Sequence, residues 1–256
     1  MGKIIAVANQ KGGVGKTTSS VSLTAALRRM GKRVLLVDFD PQGNATSGMG
    51  VSKRNRPNIY DVLMGRAEAE EAVMALPYGD VLPGNNDLSG AEVQLVNMER
   101  REYRLKDALE PLRKRYDYIF IDCPPSLGLL PVNAFVAADE LLVPLQCEYY
   151  AMEGIADLST TVKMTNKRLN PGLEIGGILL TMYDSRVNFS EQVAAELRGY
   201  FGDRVYENVI PRNVRLAEAP SHGRPISEYD RHSKGAKAYI RAAEEFLRRQ
   251  EETHGK

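Results

Sequence analysis

The sequence predicts an α/β fold, with a doubly wound, mostly parallel β-sheet flanked by helices. Short runs of β-branched and other apolar residues alternate along the chain with longer segments whose apolar residues recur at helical spacing. Strands that are apolar throughout are typical of parallel sheets, because helices cover both of their faces. A glycine-rich loop also joins the first apolar run to the first helical segment. Ligands of such folds bind at the carboxyl ends of the strands, so we expect the functional residues there.

Composition and charge restrict the class of protein. The chain has 256 residues, 43% of them hydrophobic, and we expect one domain over residues 1–256. Its formal net charge of +1 means that any DNA binding must come from a local basic patch. Cys123 and Cys147 form no CxxC pair, so neither a disulfide framework nor a zinc site is indicated. No apolar run approaches the roughly 20 residues that span a bilayer, so we expect a cytoplasmic protein.

The first elements follow from the apolar pattern. Residues 4–8 are apolar and precede the glycine-rich loop, which predicts the first strand. Residues 17–30 carry apolar residues at helical spacing, and Gly31 ends that helix. Residues 34–37 are apolar throughout and predict the second strand. The segment 42–101 is rich in Gly, Asn, Ser and Pro and has only short helical patterns, so we expect surface elaboration there.

The remainder of the chain continues the alternation of strand and helix. Apolar runs predict four further strands, at 118–122, 140–145, 175–182 and 205–210. Helical spacing predicts five helices, at 103–115, 129–138, 153–169, 189–201 and 234–249. This order is the one that builds a parallel sheet from successive crossover units.

The loop after the first strand has the pattern of a phosphate-binding loop. It reads Lys11-Gly12-Gly13-Val14-Gly15-Lys16-Thr17-Thr18 and opens the first helix, where backbone N–H groups and the helix dipole favour anions. The glycines let the backbone wrap a β-phosphate. Lys16 would neutralise the β- and γ-phosphate oxygens, Thr17 would bind Mg²⁺ and Thr18 could reach the α-phosphate. A chance glycine-rich turn would have to match both the spacing and the strand-to-helix position.

Three carboxylates stand at the ends of two predicted strands. Asp38 and Asp40 follow the second strand, and Asp122 ends the apolar run 118–122. Carboxylates beside a polyphosphate need a cation between them, so the pattern implies Mg²⁺. Thr17 would bind this ion directly and Asp122 through water, with Asp38 in the same metal shell. A turn or helix-cap role is the alternative for Asp38.

Lys11, at the start of the glycine-rich loop, distinguishes it from an ordinary Walker A sequence. The loop resembles the KGGxxK[ST] signature of the ParA/MinD family, and residues 210–221 resemble the ParA/Soj branch of that family almost residue for residue. The resemblance extends over essentially the whole chain. It implies a deviant P-loop NTPase fold and a slow, Mg²⁺-dependent ATP hydrolase that serves chromosome or plasmid partitioning.

The resemblance also implies roles for individual residues. Lys11 would reach across an ATP-held homodimer to the partner subunit's nucleotide and add a second ammonium, besides Lys16, at the γ-phosphate. Asp40 matches the aspartate of the family's Walker A′ box that orients the attacking water. The residues expected around the adenine ring are Met182, Pro211 and Asn213. Glu148 matches a dimer-interface position, where it would engage Lys11 or the nucleotide; a capped helix start is the alternative.

The expected DNA contacts rest on the same resemblance. Arg186 and Arg215 match positions that bind double-stranded DNA non-specifically in this family. Four further basic residues could extend these contacts into a basic strip on the surface: Arg204, Arg224, Arg231 and Lys234. Any one of them could instead be an ordinary solvated side chain. Dimerisation would double the patch and make DNA affinity depend on ATP. The implied partners are a ParB-type centromere-binding protein and, in a second family role, the replication initiator DnaA; the implied location is the nucleoid.

Two other functions share the nucleotide motifs. A MinD-type, membrane-associated cell-division ATPase needs an amphipathic C-terminal membrane helix, whereas residues 244–252 are acidic and sparsely apolar. A metabolic P-loop enzyme, such as an amide ligase, is compatible with the phosphate loop alone. The resemblance of residues 210–221 to the ParA/Soj branch favours partitioning over both.

Overall fold

A parallel β-sheet forms the centre of the molecule in the computed structural model, which describes residues 1–125 and 128–254. Within these residues its strands are β1 (Lys3–Val7), β2 (Val34–Asp38), β3 (Asp80–Leu82), β4 (Tyr118–Asp122), β5 (Glu140–Gln146) and β6 (Glu174–Thr181). They lie in the order β3-β2-β4-β1-β5-β6, and every pair of neighbouring strands is parallel.

Helices connect the strands and cover the sheet. Within the described residues they are α1 (Lys16–Arg29), α2 (Asn44–Gly48), α3 (Ile59–Leu63), α4 (Ala69–Ala72), α5 (Leu88–Leu95), α6 (Arg104–Leu109), α7 (Leu129–Ala137), α8 (Ala151–Arg168), α9 (Asn188–Phe201), α10 (Val214–Glu218), α11 (Ile226–Tyr229) and α12 (Lys234–His254). Short 3₁₀ turns follow α6, α9 and α10, at Pro111–Lys114, Gly202–Arg204 and Ala219–His222.

Alternate residues of the central strand face two different cores. In β1, Ile4 and Ala6 pack in a core with side chains of α3, α5, α7 and α8. Ile5 and Val7 point to the opposite face and pack with side chains of α1 and α12. Helices therefore cover both faces, as the fully apolar strands require. The prediction of a doubly wound, mostly parallel α/β sheet is confirmed.

Residues 205–210 do not form the strand that the sequence predicts. The segment bonds to β6 only near its two ends, through the backbone N–H groups of Tyr206 and Ile210 (2.9 and 2.8 Å). Between them, two backbone N–H groups donate to the carboxylate of Glu245 on α12 (2.9 Å each). The side chain of Glu245 on α12 therefore binds backbone N–H groups that would otherwise be available for pairing with a neighbouring strand.

The helix predicted at 103–115 is divided. α6 ends at Leu109, and a 3₁₀ turn at Pro111–Lys114 replaces its last turn. Pro111 has no N–H to donate to the preceding turn, and its ring collides with that turn's carbonyl, so the α-helix cannot continue.

The C-terminal helix α12 is amphipathic and packs on the sheet. Its apolar side faces α1 and β4, with the Phe246 ring 5.0 Å from the ring of Tyr118 and 5.6 Å from that of Phe120. That side is therefore buried inside the protein. Across the part of the chain that the structure describes, no helix is both long and apolar enough to span a membrane.

Candidate nucleotide site

The glycine-rich loop leaves the first N–H groups of α1 without a cap. Gly13 and Gly15 have φ angles of 74° and 88°, a left-handed conformation that strains any residue with a β-carbon. Gly15 is the N-cap of α1 and supplies no side-chain acceptor, and the first turn holds no acidic residue. The unpaired N–H groups and the helix dipole therefore favour an anion at this position.

Lys16 is buried at the start of α1. Its side chain is 6% exposed, and its Nζ donates to the backbone carbonyl of Lys11 (3.0 Å). Burial lowers the pKa of Lys16, whereas the nearby Asp122, Cys123 and Asp40 raise it. A buried ammonium with one neutral acceptor is poorly compensated, so a phosphate group fits the remaining donor positions.

Asp122 joins the ends of three strands to α1. It is fully buried, and its register partners are Val7 at the end of β1 and Asp38 at the end of β2. Its carboxylate accepts hydrogen bonds from Thr17 Oγ1 (2.8 Å) and Ser20 Oγ (3.0 Å). Burial and the charge of Asp38 raise the pKa of Asp122. A cation beside Thr17 would stabilise the ionised form of Asp122 against burial and the charge of Asp38, which fits the predicted Mg²⁺ position.

Asp38 lies beside Asp122 but bonds to a different element. It is fully buried, and its Oδ2 accepts from both the N–H and the Oγ1 of Thr46 on α2 (2.6 Å each). Burial raises the pKa of Asp38, and the hydrogen bonds from Thr46 lower it. The contact that the structure records for Asp38 is therefore an anchor for α2. Its predicted place in the metal shell stays a prediction.

The described residues hold no cluster of three or more His, Cys, Asp or Glu side chains that could bind a metal ion by themselves. Mg²⁺ in phosphate-transfer sites takes one or two protein ligands and completes its shell with water and substrate phosphates. The contact between Thr17 and Asp122 fits that pattern, since it offers one hydroxyl and one carboxylate beside the phosphate loop. The residues present are consistent with Mg²⁺ bound together with a nucleotide.

Asp40 stands in the loop between β2 and α2. Its Oδ1 accepts the N–H of Gln42 (2.9 Å) and its carbonyl accepts the N–H of Gly43 (2.8 Å), which closes a tight turn. The carboxylate is 8% exposed and close enough to Lys16 to raise the pKa of that lysine. The turn thus holds one carboxylate near the position expected for the γ-phosphate.

A cavity of about 340 Å³ continues from the phosphate loop and brings the predicted adenine-binding residues together. Its lining includes Gly15, Thr18, Met182, Pro211 and Asn213. Met182 has a φ angle of 49°, a strained backbone conformation that is typical of binding sites. The Oδ1 of Asn213 is buried and has no hydrogen-bond partner among residues 1–125 and 128–254. An unpaired acceptor in an otherwise largely apolar cavity fits a base that carries an amino group.

Lys11 and Glu148 form an ion pair within the chain. Both side chains are about half exposed, at 46% and 48%. The two residues after Glu148, Tyr149 and Tyr150, are exposed aromatic side chains with rings in edge-to-face contact. Exposed aromatic side chains beside a charged pair are typical of protein interfaces.

The basic residues predicted to bind DNA lie in several places. Arg215 lies 3.5 Å from Asp230, next to Arg231 and to Lys234 at the start of α12. Arg186 follows the carboxyl end of β6 and pairs with Asp184 (2.7 Å). Arg224 lines a second cavity, of about 430 Å³, which borders α1 and α2.

Arg204 lies apart from the other predicted DNA contacts. It pairs with Glu174, the first residue of β6 (3.3 Å), at the opposite end of the strand from Arg186. The structure therefore separates it from the rest of the strip.

Four polar residues of the site are missed by the sequence analysis: Ser20, Thr46, Gln146 and Thr181. Ser20 follows Thr17 by three residues on α1, so helical spacing already places both on one face. Gln146 and Thr181 end β5 and β6, where the carboxyl-end rule for parallel sheets would have found them. No comparable signal exists for Thr46, because its contact with Asp38 depends on how the intervening loop folds.

A phosphate loop at the end of the first strand, a buried lysine, a hydroxyl–carboxylate pair and an adjoining base pocket define a P-loop nucleotide-binding protein. Residues 2–175 match the AAA domain family. Soj of Bacillus subtilis, a sporulation initiation inhibitor, is 55% identical over 96% of this chain and 98% of its own length. The chromosome partitioning protein ParA of Myxococcus xanthus is 52% identical over 97% of this chain and 89% of its own.

Solved structures agree with the fold. Cobyrinic acid a,c-diamide synthase from Mycobacterium smegmatis, with bound ADP and magnesium, has a TM-score of 0.85 at 40% identity over 98% of this chain and 96% of its own. The cell division ATPase MinD of Pyrococcus furiosus has a TM-score of 0.80 at 29% identity over 97% and 99%. Taken with the sequence relatives, the chain belongs to the ParA/Soj family of chromosome-partitioning ATPases.

Proposed function

We propose that this partitioning ATPase is a nucleotide-controlled switch that dimerises around ATP, binds DNA non-specifically in that state and releases it after hydrolysis. ATP and Mg²⁺ are its cofactors, in keeping with the ADP, ATP-analogue and magnesium complexes of its structural neighbours. The observation that carries the proposal is the continuity of the phosphate loop with a base pocket that contains an unpaired acceptor, Asn213 Oδ1. The amino group of adenine supplies the donor that this acceptor lacks, whereas guanine presents a carbonyl oxygen at the equivalent position.

The residues of one chain account for nucleotide binding and slow hydrolysis. The first N–H groups of α1 and the ammonium of Lys16 bind the phosphates, and Thr17 with Asp122 would hold Mg²⁺. The bound metal ion would neutralise the charge that develops on the phosphate oxygens. Asp40 orients the attacking water. Residues 11–18 contain no arginine that could serve as a built-in arginine finger, so we expect slow basal hydrolysis that a ParB-type partner can accelerate.

Dimerisation would use the face that carries the pair of Lys11 and Glu148. In the single chain Lys11 is held by Glu148 at the surface, beside the exposed Tyr149 and Tyr150. An exposed ion pair is worth less than about 1 kcal/mol, so it does not prevent Lys11 from turning to a second subunit. There its ammonium would meet the γ-phosphate of the partner subunit's ATP, which makes assembly depend on that phosphate.

DNA binding would follow from dimerisation. The net charge of +1 gives the single chain no general attraction for DNA, so affinity must come from a strip that includes Arg186, Arg215, Arg231 and Lys234. Two copies of the strip in a dimer add their phosphate contacts, which releases counterions and makes binding steeply salt-dependent. The protein would then be nucleoid-associated in its ATP state. A ParB-type protein, and in a second role the replication initiator DnaA, are the proposed protein partners.

The test is the binding of a long duplex of arbitrary sequence, measured without nucleotide, with ADP and with ATP·Mg²⁺. We expect binding only with ATP·Mg²⁺, stronger binding for Asp40→Ala because hydrolysis is slowed, and none for Lys16→Ala. The salt dependence should be steep. If wild-type protein and Asp40→Ala fail to bind DNA in every nucleotide state, the switch is wrong. Binding to anionic vesicles or turnover of an amide-ligase substrate would then identify a MinD-type or metabolic function.

The separated position of Arg204 provides a matched control. Arg186→Ala removes one cation from the proposed strip, and Arg204→Ala removes one from the far end of β6. We expect Arg186→Ala to weaken DNA binding and lower its salt dependence, while Arg204→Ala leaves both unchanged. Equal losses in the two variants would place the DNA path elsewhere.

A further inference from the structure

Two neighbouring strands end in side chains that bond to the phosphate loop. Gln146, the last residue of β5, and Thr181, the last residue of β6, are direct register partners. Gln146 Nε2 donates to the carbonyl of Gly13 (3.2 Å), and Thr181 Oγ1 donates to the carbonyl of Val14 (2.7 Å). Two successive carbonyls of the loop are therefore held by two adjacent strand ends.

These two bonds determine which way the loop's N–H groups point. A trans peptide is planar, so its C=O and N–H point in opposite directions. Drawing the carbonyls of Gly13 and Val14 toward β5 and β6 turns the N–H groups of Val14 and Gly15 away from those strands. Neither N–H has a hydrogen-bond partner within the described residues. They remain available to an anion bound at the start of α1.

The loop needs such support because its own sequence allows other conformations. Gly13 and Gly15, on either side of Val14, both have positive φ angles, and glycine also adopts negative φ angles at little cost. A rotated peptide would point a carbonyl oxygen at the phosphates in place of an N–H. Thr181 is 2% exposed, and its methyl group lies 3.7 Å from the position that a β-carbon on Gly15 would occupy. Its hydroxyl is thus confined beside the loop.

We propose that Gln146 and Thr181 are positioning residues that hold the phosphate loop in its anion-binding orientation. Thr181 also lines the base pocket and immediately precedes the strained Met182, so the same strand end contacts both parts of the nucleotide site. The proposal rests on the proposed function only in that the bound anion is the phosphate chain of a nucleotide. It concerns the β-phosphate region, which ADP and ATP share.

The test compares Thr181→Val, which keeps the shape of the side chain but removes the donor, with Thr181→Ser, which keeps the donor. Affinities of the full chain for ADP and ATP, each with Mg²⁺, would be measured with fluorescent nucleotide analogues, together with kcat and KM. We expect Thr181→Val to bind both nucleotides about fivefold to twentyfold more weakly, as expected for the loss of one buried hydrogen bond. Its kcat at saturation should change less than about twofold, and Thr181→Ser should restore the affinity.

Several results would overturn the proposal. Unchanged nucleotide affinity in Thr181→Val would show that the hydroxyl does not position the loop. Equal losses in Thr181→Val and Thr181→Ser would show that packing, not the hydrogen bond, matters.

If Thr181→Val does not fold, Gln146→Leu tests the neighbouring bond, with hydrogen exchange of the loop amides in the complex with ADP and Mg²⁺ as the readout. Faster exchange of the Val14 and Gly15 amides supports the proposal, and unchanged exchange contradicts it. Failure of the wild-type chain to bind any adenine nucleotide would instead overturn the proposed function.

Discussion

Two aspartates at the carboxyl end of β2 illustrate how hydrogen-bond partners separate roles at the scale of a residue. Asp38 is fully buried and accepts two hydrogen bonds from Thr46, whose Oγ1 also lies 3.1 Å from the carbonyl oxygen of Gly84, an alternative acceptor. Asp40, two residues later, uses its carboxylate to accept the N–H of Gln42 within its own turn. Asp38 therefore stabilises the connection between β2 and α2, whereas Asp40 is free to act on a bound group.

Asp38→Ala and Asp40→Ala should consequently have different effects. Asp38→Ala leaves the buried backbone N–H of Thr46 without its acceptor and should lower the free energy of unfolding by about 1–3 kcal/mol. Asp40→Ala should change it by less than about 1 kcal/mol, while ATP hydrolysis falls by about two orders of magnitude or more and ATP binding persists. Urea unfolding and steady-state turnover measure the two quantities. A large loss of stability in Asp40→Ala would contradict this division.

The unpaired oxygen of Asn213 leads to a prediction about base selectivity. If Asn213 Oδ1 accepts the amino group of adenine, Asn213→Ala should lose that bond and weaken ATP binding about fivefold to tenfold. GTP binding, which does not use the acceptor, should hardly change, so the preference for ATP over GTP should narrow. Competition titrations of both nucleotides against a fluorescent analogue would measure this. An equal loss for ATP and GTP would mean that Asn213 only shapes the pocket.

At the scale of an element, the carboxylate of Glu245 fixes α12 to the segment that leads into the base pocket. Glu245 is 1% exposed. Its carboxylate accepts hydrogen bonds from the backbone N–H groups of Glu207 and Asn208 and from the side-chain amide of Asn208 (2.8 Å). It also forms an ion pair with Arg249 (2.6 Å). Burial raises the pKa of Glu245, but the hydrogen bonds from Asn208, Glu207 and Arg249 together lower it by more than burial raises it. The pKa of Glu245 is therefore below its usual value. The ionised group is thus the form that the fold stabilises.

Glu245→Ala should destabilise the protein by about 3–5 kcal/mol, because it leaves the buried N–H groups of Glu207 and Asn208 without their acceptor and removes the carboxylate from its ion pair with Arg249. Glu244→Ala, at the exposed neighbouring position on α12, is the matched control and should change stability by less than about 0.5 kcal/mol. Urea unfolding at neutral pH measures both. Similar small effects in the two variants would mean that other contacts hold α12.

The same carboxylate predicts how stability depends on pH. A group whose pKa is lowered by folding stabilises the folded state above its unfolded pKa, and this contribution is lost as pH falls through the folded value. Wild-type protein should therefore lose stability below about pH 4.5 more steeply than Glu245→Gln, which has no charge to lose there. Unfolding midpoints measured over a pH series would show the difference. Parallel curves for the two proteins would contradict this role.

The elements that could be predicted from sequence are those that local pattern determines. The apolar runs that became β1, β2, β4, β5 and β6, and the long amphipathic helices, are visible because one buried face imposes a regular period. The strand β3 has only three residues, Asp80–Leu82, inside a segment rich in turn residues, so it gives no periodic signal. The segment 205–210 looks like a strand, but the side chain of Glu245, from far along the chain, takes its donors.

The candidate site shows the same division. Its phosphate loop and its aspartates are contiguous motifs, and the sequence identifies them directly. The bonds of Thr181 and Gln146 to the loop join residues more than 130 positions apart, so only the assembled sheet places them together. Arg204 is among the predicted DNA contacts only as a further basic residue, and residue type alone does not give its place in the fold, which puts it at the opposite end of β6 from Arg186.

At the scale of the whole molecule, the ion pair between Lys11 and Glu148 bears on the proposed dimerisation, because Lys11 must leave Glu148 to reach a second subunit. Within one chain the pair is half exposed and worth less than about 1 kcal/mol, so releasing Lys11 costs less than about a fivefold change in a dimerisation constant. A bond from Lys11 to a desolvated γ-phosphate would contribute considerably more. In the proposed switch, the difference between these two free energies would favour dimerisation only when ATP, and not ADP, is bound.

In an Asp40→Ala background with ATP·Mg²⁺, sedimentation should therefore detect a dimer, and Lys11→Ala should leave the protein monomeric. Glu148→Gln removes the competing carboxylate but keeps the size of the side chain, so it should tighten dimerisation by at most about fivefold. ADP should give monomers in all three proteins. If Glu148→Gln abolishes the dimer as completely as Lys11→Ala, Glu148 makes its decisive contact across the interface, and the pair within one chain is incidental to assembly.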